Sequence, residues 1–166
     1  MTKQILLLVA ISFALASCHT TKHSETNESE KTQTVKDTSL QSVTKIPYEI
    51  AQNYFVKNDY PNKEIHTIKI TSQQELDKVF GMATTMRKDG APTSIDFSRD
   101  YVIACIDKES NRNAKIDILK LYKNAENIVL SYNINEYNVQ SFSTRDVVLL
   151  IVNKQYQGNI ILNQIR

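Results

Sequence analysis

The sequence predicts an α+β domain, a mostly antiparallel sheet of five or six strands with one short helix packed on a face. Three observations lead there. A reciprocal helix-start signal at Thr71–Glu75 is followed by only about two turns of helical periodicity. The C-terminal half is a succession of β-branched and alternating runs. Lys123-Asn124-Ala125-Glu126 stands between two of these runs as a hairpin turn. One helix early and a meander of strands late make an α+β arrangement, with a closed small barrel as the competing architecture.

The chain opens on a segment outside that fold. Lys3 is a positive start, Ile5 to Leu15 is an almost unbroken apolar run, and Ala16-Ser17 are small residues before Cys18. A positive region, a short apolar core and a small-residue cleavage site describe an export signal. The core is shorter than the roughly 20 apolar residues a membrane span needs. Leu15-Ala16-Ser17-Cys18 resembles the lipobox of bacterial lipoprotein signal peptides, with every position filled. The resemblance implies diacylglyceryl transfer to the Cys18 thiol, cleavage after Ser17 and acylation of the new amino terminus. Residues 1–17 are then a signal peptide, and several acyl chains hold the protein stably where a single chain binds only reversibly. The alternative is an ordinary secretory signal cut near Ala16. His19 follows the cysteine, without the Asp that in this class favours inner-membrane retention, so the expected location is the outer membrane. Early acidic residues are lacking until Glu25, which favours the periplasmic side over surface display.

Removing residues 1–17 takes away Lys3 and no acid. From 20 Lys/Arg and 18 Asp/Glu, the mature chain is left with a net charge of +1. Near neutrality argues against nucleic acid, which is held by clustered cations. With Cys18 lipidated, as the resemblance implies, the second of the two cysteines, Cys105, has no partner within the monomer. Cys105 lies in the apolar run Tyr101–Ile106 without a neighbouring base, and is expected as an inert core residue.

Residues 18–45 comprise Cys18 and a Ser/Thr/Lys/Glu-rich tether with only Val35, Leu40 and Val43 apolar. Such a composition cannot offset its ordering entropy and predicts disorder, with a reach of about 30 Å. His19 and His23 are spaced i, i+4 but without a helical pattern, and are expected as solvated tail residues rather than metal ligands.

A single domain is expected over 46–166. Tyr48, Ile50, Tyr54, Phe55 and Val56 form an opening strand or strand–helix piece, and Glu64–Ile70 a β-branched strand containing His66. In the helix, Ser72 caps the first turn while Glu75 reaches back, Leu76, Val79 and Phe80 form the apolar face, and Gly81 is expected at C′ with positive φ. Lys88-Asp89-Gly90 and Pro92 mark a connecting turn. Tyr101–Ile106 and Arg145–Val152 are apolar on both faces and read as central strands. Ala114–Tyr122 and Asn127–Asn135 flank the hairpin turn. The first breaks phase at Ile118-Leu119, predicting a bulge, and Asn159–Ile165 closes the chain.

Catalytic signatures such as His-Glu-x-x-His, Cys-x-x-Cys and Gly-x-Ser-x-Gly are not found in the sequence. Asp96 to Asp107 has only a superficial likeness to a calcium loop, with Tyr101 where glycine is needed and Asp107 at the twelfth position. Asp96 or Ser98 is expected instead to cap the turn into the Tyr101 strand. Asp96, Asp100, Asp107 and Glu109 read as solvated surface. No cofactor and no metal are expected. His66, the domain's only histidine, leaves open a small periplasmic hydrolase using a serine, His66 and an acid.

Glu136–Arg145 reads as a connecting loop, long for a hairpin, that offers Tyr137, Phe142 and Arg145, residue types enriched at interaction hot spots. The alternative is that both aromatics fold back over the sheet edge. The leading expectation is a lipid-anchored, non-enzymatic envelope module that binds a protein through these three residues. Alternatives are the hydrolase and an envelope-structural lipoprotein with no discrete ligand.

The stretch from Tyr101-Val-Ile-Ala-Cys105 through Arg145–Val152 to the last strand resembles the PrcB C-terminal domain family, named for a subunit of a bacterial protease complex and found in envelope proteins. The likeness spans about residues 95–165 and rests on an apolar strand after a short helix, a hairpin, and an apolar strand led by Ser143-Thr144. It implies a shared sheet, and a protease or an assembly partner as the class of partner. Asn111–Ala114 stands where the family has a Gly-Gly-Tyr-like element, and Arg145-Asp146 where it has Pro-Tyr, so no functional residue transfers.

Overall fold

Apolar residues on both faces of Tyr101–Ile106 need cover on both sides, and the structure supplies it in three layers. The structure is a computed structural model and describes residues 43–84 and 90–166. Its elements are β1 (Val43–Lys45), β2 (Glu49–Ala51), β3 (Tyr54–Val56), β4 (His66–Ile70), α1 (Gln73–Val79), β5 (Phe80–Met82), β6 (Asp100–Ile106), β7 (Ser110–Asn124), β8 (Asn127–Thr144), β9 (Val147–Asn153) and β10 (Asn159–Gln164). The first sheet has the order β1-β7-β8-β10, the second β2-β9-β6-β4, and β3-β5 form a third.

Strands dominate beside one short helix, an α+β composition. The expected count of five or six strands is too low, because ten are present among the described residues and they divide among three sheets. The opening piece accounts for much of the difference. It contributes β2 to the second sheet and β3 to the third, with Asn53 between them at φ 64°. Asparagine tolerates that left-handed conformation better than most residues. Val43–Lys45, assigned by composition to the tether, pairs antiparallel with Tyr122–Asn124 as β1. Pairing is antiparallel everywhere among the described residues except where β10 runs parallel to β8.

The second sheet is the middle layer. On β6, Tyr101, Ile103 and Cys105 face a core shared with Ile116, Leu121, Ile128 and Leu130 of the first sheet. Val102, Ala104 and Ile106 face the other way, against Leu76 and Val79 of α1, Phe80 of β5 and Val56 of β3. Alternation along β9 divides in the same manner, with Leu150 on one side and Leu149 on the other. The two apolar faces read in the sequence are thus two separate cores.

The helix begins as predicted. Ser72 Oγ accepts from the Glu75 N–H at 3.2 Å, and Glu75 Oε2 accepts from the Thr71 N–H at 2.7 Å. It ends differently. The cap is Phe80, in extended backbone, and none of the described glycines has positive φ. Gly81 lies within β5 opposite Phe55, whose ring crosses it so closely that a Cβ would stand 2.3 Å from Phe55 Cζ. Gly81 is therefore a packing glycine, not a turn glycine.

A single two-stranded ribbon links the first two sheets. β6 pairs with β9 as far as Ile106↔Val147, Asp107 N donates to Asp146 O at 2.9 Å, and β7 pairs with β8 from Ser110↔Thr144 onward. The ribbon changes sheet at this point, and the register slips between Ser110, Arg112 and Ala114 while β8 runs through extra residues. Strands that switch sheets bend at bulges, and the outer strand needs the longer path. Of the segment Glu136–Arg145, expected as a loop, Glu136–Thr144 is this bulged strand. A further shift between Ile118 and Lys120 places the predicted bulge at Leu119.

Candidate interaction site

The corner of the ribbon is held from inside. Arg145, between β8 and β9, has a side chain only 12% exposed. Its Nη1 donates to the Tyr60 carbonyl at 2.5 Å and to Asn62 Oδ1 at 3.1 Å, and its Nη2 reaches Glu109 Oε2 at 3.3 Å. Asn62 returns a bond from Nδ2 to the Asp107 carbonyl at 2.5 Å. The connection between β3 and β4 is thereby clasped to the crossing point. Asp146 adds a second hold, its Oδ2 accepting from the Ile116 N–H of β7 at 2.5 Å.

Asp107, expected on the solvated surface, is instead almost fully buried, and its Oδ1 accepts from the Lys108 N–H at 2.8 Å. Burial, more than any neighbour, raises the pKa of both Asp107 and Asp146 above the ordinary aspartate range. The folded chain then retains protons at pH values where the unfolded chain has lost them. Stability rises as pH falls through the folded pKa toward the ordinary 3.8, and at neutral pH each charge detracts from it. Asp107→Asn keeps an acceptor for Lys108 and removes the charge. It is expected to melt higher than wild type at pH 7, with the gap closing on acidification. Thermal unfolding between pH 4 and 8 checks this, and a lower melting point at pH 7 would contradict it.

Cys105 lies behind these carboxylates, fully buried. Burial first, then the charges of Asp107 and Asp146, push its thiol up to about 12, so it carries no thiolate at neutral pH and is chemically inert.

The corner is exposed, and three apolar side chains stand on it among polar ones. Tyr137 is 52% exposed, Val139 60% and Phe142 59%, all on β8. Neither aromatic folds back over a sheet edge. The structure thus separates the three residues singled out in the sequence: Tyr137 and Phe142 are displayed, while Arg145 is turned inward to fix the strand that displays them. Val139 was missed, although an apolar residue between two aromatics in a polar segment is a readable signal.

His66 is tied into the fold. Tyr60 Oη lies 3.0 Å from Nε2, the Glu64 carbonyl lies 3.2 Å from Nδ1, and the Tyr60 ring stacks on the imidazole. A carbonyl only accepts, so Nδ1 donates to Glu64 and Nε2 is left to accept from the tyrosine hydroxyl. Among the described residues no serine or carboxylate is hydrogen-bonded to the ring. The Asp96 carboxylate is engaged in the expected turn, Oδ1 accepting from Ser98 N and Oγ at 2.9 and 2.6 Å. Glu109 serves Arg145, so the four acids of this region do not converge. No group of three or more metal-ligating side chains occurs among the described residues.

A second surface lies where β1 pairs with the end of β7. An open groove of about 1150 Å³ is lined by Val43, Lys45, Tyr48, Leu119, Lys120, Tyr122 and Ile165, with Ser131 and Asn163 also on its wall. Leu119 reaches the surface because the bulge inserts it as an extra residue. Asn163 Nδ2 donates to Ser131 Oγ at 3.2 Å.

No family model matches the chain, and no curated protein or solved structure matches it either. No helix among the described residues is long and apolar enough to cross a membrane. Cys18 and the signal segment lie outside the described residues, as do His19, His23 and the Lys88-Asp89 part of the connecting turn.

Proposed function

We propose that this chain is a lipid-anchored envelope lipoprotein, held through acylated Cys18 at the outer membrane and facing the periplasm, whose domain binds a protein partner at the bulged ribbon corner. The observation that carries the reading is the display of Tyr137, Val139 and Phe142 on a strand fixed at its root. Apolar side chains on preorganised backbone give up little conformational freedom on binding, which is where interaction hot spots gain their strength. The sequence resemblance to the PrcB C-terminal domain family, which no family model matches here, makes an envelope protease, or a protein that assembles with one, the first partner to examine.

Tyr137→Ala with Phe142→Ala is the test, and Arg145 is left intact because its loss would disturb the fold. Crosslinking in intact cells followed by mass spectrometry should recover a protein partner with wild type. Recovery should fall at least tenfold with the double variant, while its melting temperature stays within a few degrees. Equal recovery from both would remove the corner from the reading. Crosslinks only between copies of this chain would favour an envelope-structural role.

A further inference from the structure

We infer that the groove over β1 and β7 is a docking surface for an anionic membrane, so that the domain can lie against the bilayer to which it is tethered. Two observations lead to this occupant. The first is charge. Lys45 and Lys120 border the groove, no carboxylate among the described residues lines it, and both lysines are exposed. Alternate residues of a strand share a face, which carries the pattern along β7 and β8. Lys120 and Tyr122 have Lys115 and Asp117 on the same side, and that one acid is paired to Lys115 at 3.1 Å. Beside the cations stand exposed apolar side chains: Val43 at 62%, Leu119 at 46% and Ile165 at 44%. Cations interleaved with apolar and tyrosyl side chains suit the headgroup region of a bilayer with acidic lipids, where each part of the surface finds its complement.

The second observation is where the chain comes from. Val43 is both a wall of the groove and the first described residue, and it follows Cys18 by 25 positions. A connection of 25 residues reaches at most about 90 Å, whatever its conformation. An anchor at Cys18 therefore keeps this surface, more than any other part of the domain, at high effective concentration near lipid. The groove belongs to the hairpin end of the β7–β8 ribbon and Phe142 to the other end, with Tyr137 beside Lys115 at the far edge of the same face. This inference shares the anchor with the proposed function and does not depend on the corner binding anything.

The test separates the groove's own affinity from the anchor. The mature chain from residue 18, carrying Cys18→Ser, is sedimented with vesicles of phosphatidylglycerol and, in parallel, of phosphatidylcholine. Binding is expected to the anionic vesicles, weakening as salt is raised. A lysine near such a surface contributes about fivefold to the binding constant, so Lys45→Ala with Lys120→Ala should weaken it about 30-fold. A second variant, Leu119→Ser with Ile165→Ser, should also weaken it, and unchanged circular-dichroism melting of both variants would show that the fold is intact. No sedimentation of wild type, equal binding to the two lipids, or unchanged binding by the lysine variant would overturn the inference. So would concentration-dependent dimerisation abolished by the same substitutions, which would assign the groove to a second copy of the chain. Loss of the partner at the corner, by contrast, would leave every one of these readouts in place.

Discussion

Arg145→Ala is expected to destabilise the domain by about 2–3 kcal/mol, the range for hydrogen bonds made by a charged donor. For a domain of this size that is a fall in Tm on the order of 10 °C. The exposed half of the arrangement matters little, since Glu109 is 57% exposed and a surface ion pair contributes 1 kcal/mol at most. What matters is the pair of acceptors inside, the Tyr60 carbonyl and Asn62 Oδ1, which alanine leaves without their donor. Arg145→Lys keeps the charge, but one ammonium cannot span three acceptors as the planar guanidinium does, so it should recover less than half of the loss. Denaturant unfolding of the three proteins measures this. If Arg145→Ala unfolds within 0.5 kcal/mol of wild type, on the order of an ordinary surface substitution, the clasp is not what fixes the corner.

Cys18→Ser is expected to have the larger consequence in the cell. A serine hydroxyl cannot form the thioether, so the variant should not be processed as a lipoprotein and should lack every acyl chain. Each buried methylene contributes roughly 0.8 kcal/mol to membrane partition, and losing several chains changes partition by many orders of magnitude. The wild-type chain should partition wholly with membranes and carry the mass of acylation on a peptide beginning at Cys18. The variant should keep at most the salt-sensitive attachment the groove provides. A wild-type protein with an unmodified thiol at that residue would end the anchored reading and leave the domain as a freely diffusing body.

The sequence was most legible where one residue's neighbours decide its conformation. Ser72 and Glu75 announce a helix start because the bonds that make it are local. Leu119 announces a bulge because it breaks a two-residue period. Tyr101–Ile106 reads as a central strand because both of its faces are apolar, although nothing local says that the two faces serve two different cores. Gly81 misled for a related reason: after a helix a glycine suggests a left-handed cap, whereas the demand here comes from the Phe55 ring on another strand. Arg145 could not be assigned from its neighbours, since the acceptors it holds lie 83 and 85 residues away. Glu136–Thr144 looked like a loop because a strand turning a corner exposes both faces and loses its alternation. The groove was hidden too, because its rim uses Val43 and Lys45 from a segment whose composition is that of a linker.

The ribbon that passes from one sheet into the other leaves the domain without a seam. Both connections of the ribbon, β6 into β7 and β8 into β9, pass directly from one sheet to the other, so neither sheet can move away without straining the bend they share. A protein built from two stacked but separately stranded sheets could open like a book. This one is stitched, so its unfolding is expected to follow a single cooperative transition, with coincident curves from different probes.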